Sequence, residues 1–326
     1  MRNVVIEQNS SIVYLFANGV WYCYDSAGYT LGDGAMGVVY LGFRCDNQDR
    51  VAIKKIKDEY ANNRRIRECA RNEALMLFSH PNIVRMLGYC EYAEDYGPIY
   101  ILSEYVPGIT FEDHVKMRLS VLPAKDRIYR IVSDLRPILS ALQYLHSNSV
   151  VHKDIKPSNI MIDSMSKVKL MDLGVSGLFS DSSERILEFV GTPQYAAPEQ
   201  IPSSGVYGAI DARTDIYAFG VMLYELITGV NPFEGGSYDE ILSNQIHKEL
   251  PNDDVLPPEL FEIIRKATAK NPDSRYGSAV EVDADIARFL DPKSTDRTLS
   301  KVRVTIVCIM LILLSFIAAA LIISSL

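Results

Sequence analysis

His152-Lys153-Asp154-Ile155-Lys156-Pro157-Ser158-Asn159 lies between two apolar runs, Ser149-Val150-Val151 before it and Ile160-Met161-Ile162 after it. The segment brings a carboxylate, an ammonium and an amide oxygen together on a short loop whose two ends are buried chain. A loop anchored in this way can hold an acid, a base and a metal ligand in fixed relation. The chain reaches the loop through residues 126–148, where Ile128, Ile131, Val132, Leu135, Leu139, Leu142 and Leu145 recur with a helical period. Pro137 falls inside that pattern, and because an interior proline costs about 3 kcal/mol, a bend or two shorter helices are expected.

Further upstream, Leu31-Gly32-Asp33-Gly34-Ala35-Met36-Gly37-Val38-Val39-Tyr40 carries glycines that let a backbone turn tightly and aim its N–H groups at a polyphosphate. A dinucleotide-binding fingerprint of the same spacing opens a helix, whereas Val38-Val39-Tyr40 continues a strand. Val51-Ala52-Ile53-Lys54 is then an apolar strand ending in a lysine, with Lys55 sent to the opposite face by alternation. Downstream of the loop come Met171-Asp172-Leu173-Gly174, then Gly191-Thr192-Pro193-Gln194-Tyr195-Ala196-Ala197-Pro198-Glu199, Thr214-Asp215-Ile216-Tyr217-Ala218-Phe219-Gly220, and Asn271-Pro272-Asp273-Ser274-Arg275-Tyr276.

These motifs, in this order, make residues 28–290 resemble a eukaryotic-type protein Ser/Thr kinase, and the wording of residues 191–200 and 272–279 resembles its bacterial membrane-attached branch. The resemblance implies an α+β, two-lobed kinase fold: a β-rich N-lobe and hinge over 28–108 and a helical C-lobe over 109–290. It implies ATP and Mg2+ as cofactors, with Mn2+ as the alternative ion, and Ser/Thr hydroxyls of proteins as acceptors.

The roles it implies are residue by residue. Asp154 would accept the proton of the attacking hydroxyl, Lys156 would neutralise the γ-phosphoryl, and Lys54 would pair with the α- and β-phosphates. Asn159 and Asp172 would hold the metal ions. Leu31, Gly32, Asp33, Gly34, Ala35, Met36, Gly37, Val39 and Ala52 would surround the nucleotide, and backbone groups of Glu104 and Val106 would meet the adenine. A helix over 61–77 should supply the carboxylate that holds Lys54; Glu73 is chosen over Glu68 because Leu77 would share its inward face. Ser103 takes the gatekeeper position, which implies an open pocket behind the adenine. Thr192 would contact Asp154 and Lys156; Asp215, and Glu199 with Arg275, would be structural.

Two departures from the family pattern are informative. Leu173 replaces a phenylalanine and keeps an apolar plug. Lys153 replaces the arginine that clamps an activation-loop phosphate through two parallel hydrogen bonds, and a lysine offers only a point charge. Phosphorylation at Ser176, Ser180, Ser182 or Ser183 is therefore expected to affect activity weakly.

Composition and the chain ends complete the expectation. With 33 basic and 41 acidic residues, a net charge of -8 and no long block of like charge, a nucleic-acid partner is excluded. The cysteines, Cys23, Cys45, Cys69, Cys90 and Cys308, lack metal-ligand or disulfide spacing, which suits a reducing compartment. Met1 to Gln8 lacks the apolar core of an export signal. Residues 1–27 read as a hairpin-like extension turning at Asn18-Gly19. After a basic linker, 291–303, residues 304–326 are uncharged and as a helix would cover ~34 Å, enough to cross a bilayer core of about 30 Å. Arg297, Lys301 and Arg303 place the kinase on the cytoplasmic side of a single span, with no external domain expected beyond it. Ala318-Ala319-Ala320 is a small-residue patch on which two copies could pair as a homodimer. Two alternatives stay open at this point: a pseudokinase scaffold, although Lys54, Asp154, Asn159 and Asp172 are all present, and a small-molecule kinase of related fold.

Overall fold

β-branched and aromatic residues crowd the first part of the chain and build a sheet. The structure is a computed structural model that describes residues 3–6, 10–34, 37–93, 96–173, 192–202 and 210–291. In chain order the first lobe contains β1 (Val4–Ile6), β2 (Ile12–Ala17), β3 (Val20–Asp25), β4 (Thr30–Asp33), β5 (Gly37–Arg44), β6 (Arg50–Ile56), α1 (Asp58–Ala61), α2 (Arg64–Leu75), β7 (Met86–Glu91) and β8 (Ile99–Glu104). The strands form one antiparallel sheet in the order β1-β2-β3-β5-β6-β8-β7, with β4 also paired to β5. β3 and β4 share the same edge of β5: Tyr22 to Tyr24 face Arg44 to Gly42, and Thr30 to Asp33 face Tyr40 to Val38.

Alternation along β6 divides the sheet into two faces. Val51 and Ile53 point to one face, into a core with Val13, Leu15, Tyr22, Tyr24, Tyr100 and Leu102. The other face carries Ile56, Ile99 and Ile101 against Ala70 and Ala74 of α2. The β2–β3 hairpin supplies much of the first core. Its turn residues Asn18 and Gly19 have φ of +49° and +81°, the left-handed conformations a two-residue hairpin turn requires. The hairpin tip docks on β7: the Asn18 side-chain amide donates to the Leu87 carbonyl at 2.9 Å, and the Cys90 thiol donates to the Phe16 carbonyl at 3.2 Å. Gly88 makes room for this contact, since a Cβ there would lie 2.6 Å from that of Ala17.

The second lobe contains β9 (Gly108–Thr110), α3 (Phe111–His114), a π-helical turn over Val115–Leu119, α4 (Ala124–Ser147), β10 (Ile160–Asp163), β11 (Val168–Leu170), α5 (Ala212–Thr228), α6 (Tyr238–His247), α7 (Pro258–Ala267) and α8 (Ala279–Leu290). Its core gathers α4, α5, α7 and α8 around fully buried Leu135, Leu139, Leu142, Ile216, Phe219, Leu260 and Ile264. The lobes are stitched together where Val84 N–H donates to the Leu170 carbonyl at 2.9 Å and Leu170 N–H to the Asn82 carbonyl at 2.8 Å.

Two local expectations are corrected. Residues 124–147 form one helix with Pro137 inside it, so of the two expected outcomes, a bend or two shorter helices, the second is ruled out. The lost hydrogen bond is outweighed by a buried face running from Ile128 to Leu145, because tertiary burial dominates helix stability in a packed domain. The helix expected over 61–77 begins at Arg64 and ends at Leu75, after a separate turn at 58–61. Among the described residues no helix is long and apolar enough to cross a membrane; residues 292–326, and with them the expected span and basic linker, lie outside the described residues.

Because Leu15 on the hairpin is fully buried in the lobe core, Leu15→Ala should lower the unfolding free energy by about 2–5 kcal/mol. Urea denaturation followed by Trp fluorescence measures it. A loss below ~0.5 kcal/mol, the range of ordinary surface substitutions, would show the hairpin to be a loosely attached extension.

Candidate active site

The loop at residues 152–159 is held from beneath by one carboxylate. Asp215, fully buried in α5, accepts the His152 N–H at 2.9 Å on Oδ2 and the Lys153 N–H at 2.8 Å on Oδ1, while His146 Nε2 lies 2.8 Å from the same Oδ2. Two successive amides converge on one side chain because Lys153 sits in the left-handed region, φ +67°. His152, also fully buried, bridges the loop: its Nδ1 receives the Asp154 N–H at 3.3 Å and its Nε2 lies 2.9 Å from the Met171 carbonyl. Gln200 ties in the next segment, donating to the Lys153 carbonyl at 3.0 Å and accepting the Ala197 N–H at 2.9 Å.

On this base the polar side chains form a chain. Lys156 Nζ lies 2.7 Å from Asp154 Oδ2 and donates to Thr192 Oγ1 at 2.7 Å. The Asn159 amide donates to the Asp154 carbonyl at 2.8 Å and to Asp154 Oδ2 at 3.0 Å. Asp154 Oδ1 is buried and has no hydrogen-bond partner among the described residues. Burial opposes the Asp154 charge, but the Lys156 ammonium overcomes it and holds the carboxyl below the usual range. The site therefore presents an ionised carboxylate with one acceptor oxygen unused.

Lys54 arrives from β6 opposite Val39 and Ile101, and Ala52 lies opposite Ser103. Its Nζ contacts Asp172 Oδ1 at 3.0 Å. Burial disfavours the Lys54 charge, yet the carboxylates of Asp172, Glu73 and Asp154 together raise its pKa. Asp172 is held low chiefly by the Lys54 ammonium.

Glu73 is buried as anticipated, but the reason given for it does not hold. Leu77 lies past the end of α2 and is 66% exposed, whereas Ala70 and Ala74 form the inward face. Glu68 is the exposed partner of Arg64. Among the described residues Glu73 makes no ion pair with Lys54, and its Oε2 has no hydrogen-bond partner. Burial pushes its pKa up to about 7 against the pull of Lys54.

The glycine-rich stretch divides by position. A Cβ on Gly37 would sit 2.7 Å from the Lys55 carbonyl, so that glycine serves strand packing. A Cβ on Gly32 would meet nothing within 4 Å and one on Gly34 only the Gly37 carbonyl at 3.6 Å, which leaves open space over the cleft. Leu31 precedes them on β4; Ala35 and Met36 lie outside the described residues. The Asp33 side chain pairs with Lys57 at 3.0 Å. The Glu104 N–H donates to the Arg85 carbonyl at 2.9 Å, and its carboxylate accepts the Arg85 N–H and Lys169. The Glu104 N–H is thereby already used, and Val106 lies two residues further along the connection to β9. Ser176, Ser180, Ser182 and Ser183 lie outside the described residues.

Glu199 and Arg275 form a pair with side chains 1% and 0% exposed, at 2.7 and 2.9 Å, and Thr214 adds a hydrogen bond to Glu199 at 2.8 Å. Residues that sequence reasoning missed lie nearby. Gln200 and His146 carry no motif of their own. Gln245 is fully buried on α6 beside Ile241, and a polar residue one helical turn from an apolar one was the available signal.

Residues 26–285 match the family described as protein kinase domain. The chain belongs to the protein kinase family. It is 34% identical over 282 residues to serine/threonine-protein kinase PknB of Mycolicibacterium smegmatis, covering 82% of this chain and 43% of that protein. It is 35% identical over 268 residues to serine/threonine-protein kinase PrkC of Bacillus subtilis, covering 80% of this chain and 40% of that protein. A third relative, probable serine/threonine-protein kinase MARK-C of Dictyostelium discoideum, is 34% identical over 250 residues, 76% of this chain and 31% of its own length. The chain thus spans less than half the length of each of these kinases.

The donor set fits a nucleotide with a hard divalent ion. Lys54 offers an ammonium that phosphate oxygens could meet, Gly32 and Gly34 leave room for backbone approach, and the Asn159 and Asp172 side chains offer oxygens. A Mg2+ shared with phosphates needs only one or two protein carboxylates, so the absence of a larger acidic cluster among the described residues is compatible with it.

The raised pKa of Glu73 has a consequence for stability. Below about 4.5, the ordinary value of this carboxyl, both folded and unfolded chains carry it protonated. Between that pH and about 7 the unfolded chain releases the proton first, so the folded state loses stability as pH rises, and the loss is complete above 7. In the nucleotide-free protein, Glu73→Gln should therefore match the parent's melting temperature near pH 4.5 and exceed it at pH 8. A lower melting temperature for the variant at pH 8 would mean that attraction to Lys54 outweighs burial.

Proposed function

We propose that the chain is an ATP-dependent protein serine/threonine kinase. The observation that carries the reading is the hydrogen-bonded chain Asn159–Asp154–Lys156–Thr192, with Asp154 Oδ1 buried and without a partner among the described residues, together with the Lys54–Asp172 pair. Bound ATP supplies the transferable γ-phosphoryl, and bound Mg2+ screens the phosphate charge. Asp154 orients a Ser/Thr hydroxyl through Oδ1 and takes up its proton as the oxygen becomes a nucleophile. The low pKa of Asp154 keeps it ionised and able to accept. Lys156 stays beside that oxygen and offsets negative charge, while its hydrogen bond to Thr192 keeps the acceptor segment next to the base. Lys54 would hold phosphate oxygens, and Asn159 and Asp172 would hold the metal. Phosphoryl transfer asks mainly for positioning and charge neutralisation, so this small set is sufficient.

The Asp-x-Lys-Pro wording at 154–157 and the platform around residues 191–199 favour protein Ser/Thr acceptors over small molecules. The uncharged stretch 304–326 behind Arg297, Lys301 and Arg303 supports attachment to a membrane with the kinase on the cytoplasmic face.

Incubated with labelled ATP and Mg2+, the chain should label protein Ser/Thr, and Asp154→Asn should reduce that labelling by about 10²-fold or more. Undiminished labelling in the variant would remove Asp154 from the chemistry; nucleotide binding without transfer in the parent would favour a scaffold. Ser103, paired with Ala52 and Met86 across the sheet, leaves only a small side chain behind the adenine. ATP analogues with bulky N6 substituents should accordingly be used by the parent chain and rejected by Ser103→Met. Equal use by both would show that residue 103 does not border the adenine.

A further inference from the structure

The segment from Thr192 to Ala197 lies beside Asp154 and Lys156, where an acceptor protein must lie if the proposed kinase reading is right; the inference below rests on that reading. One buried side chain controls this segment from behind. Gln245 of α6, fully buried, donates from Nε2 to the carbonyls of Pro193 at 3.0 Å and Gln194 at 2.6 Å. These carbonyls immediately follow Thr192, whose hydroxyl is bonded to Lys156.

Gln245 is itself oriented from the far side. Its Oε1 accepts the hydroxyl of Tyr217, fully buried in α5, at 2.7 Å. Lys270 donates to the Tyr217 hydroxyl at 2.9 Å and to the Gln245 carbonyl at 2.8 Å, and its ammonium stands 3.7 Å from the centre of the Phe233 ring. Burial pushes the Lys270 pKa down to about 7, so this amine is a desolvated group whose place depends on those hydrogen bonds. Asn231 adds a second donor to the Gln194 carbonyl at 3.2 Å. Every polar atom of the Gln245 amide is thus used, and both of its donors are spent on the acceptor segment.

We propose that Gln245, held by Tyr217 and Lys270, is a positioning residue that sets the backbone of residues 193–194 and through it the affinity for the acceptor protein. The amide is the side chain that can do this: it presents two donors to two adjacent carbonyls while an acceptor faces Tyr217. An apolar residue of the same size would leave two part-buried carbonyls with less than their full hydrogen bonding and let the segment shift. The contact does not reach Lys54, Gly32, Gly34 or the hinge, so nucleotide binding should be unaffected.

The test compares the full chain with Gln245→Leu and Tyr217→Phe, the second deleting only a hydroxyl. The acceptor is a synthetic threonine peptide selected from a positional library for phosphorylation by the parent chain. Gln245→Leu should raise the peptide KM about tenfold or more, with the ATP KM within about twofold of the parent. Tyr217→Phe should raise the peptide KM in the same direction by a smaller factor. If the parent phosphorylates no peptide in the library, the kinase reading fails. If the parent is active and the variants lose kcat with an unchanged peptide KM, or keep all constants, the positioning role is overturned. Should Gln245→Leu not fold, Tyr217→Phe decides: an unchanged peptide KM overturns the proposal.

Discussion

A single buried carboxylate organises the catalytic half of this molecule. Asp215 has no exposure to solvent, and its two oxygens receive two consecutive backbone amides of the 152–159 loop along with His146. A charge in such a place is stable only when its lone pairs are satisfied, and these amides satisfy them. The left-handed backbone of Lys153 lets both amides reach this one carboxylate, and beyond it Lys156 is bonded to Thr192. Removing the carboxylate would leave two buried N–H groups without acceptors and free the loop on which the polar chain is strung.

The other half of the site depends on sheet alternation. Lys54 shares a face with Ala52 and is opposed by Val39 and Ile101, whereas Val51 and Ile53 turn into the core capped by the N-terminal hairpin. The lysine is therefore fixed by burial on both sides of its strand, and its ammonium is matched by Asp172 across the cleft at 3.0 Å. Glu73 stays close enough to influence Lys54 electrostatically but remains mostly governed by its own burial. Two carboxylates compete for one ammonium here, and the geometry gives the hydrogen bond to Asp172.

Much of this was legible in the residues. The loop at 152–159, the lysine at the end of an apolar strand and the Asn18-Gly19 turn each follow from local pattern. Other features were not. Glu73 was selected through a neighbour, Leu77, that turned out to lie beyond the helix, because a helix end is set by what it packs against and not by periodicity alone. Pro137 signalled a bend or a break, and burial of the surrounding face prevents the break. The ion pair of Asp33 with Lys57 could not be read from the glycine-rich stretch that holds Asp33.

By itself the sequence determined the order of the chemical groups, the strand and helix periods that carry them, and the family to which they belong, because those depend on neighbours along the chain. Only the tertiary structure decided which partners the charged and polar groups take. Lys54 meets Asp172, separated from it by 118 positions; Asp215 meets the loop 62 positions upstream; and Gln245 reaches the backbone of Pro193, 52 positions away. The physical reason is common to all three: in a desolvated interior a hydrogen bond or ion pair forms with whatever donor or acceptor packing places within about 3 Å, and that proximity is a property of the folded core.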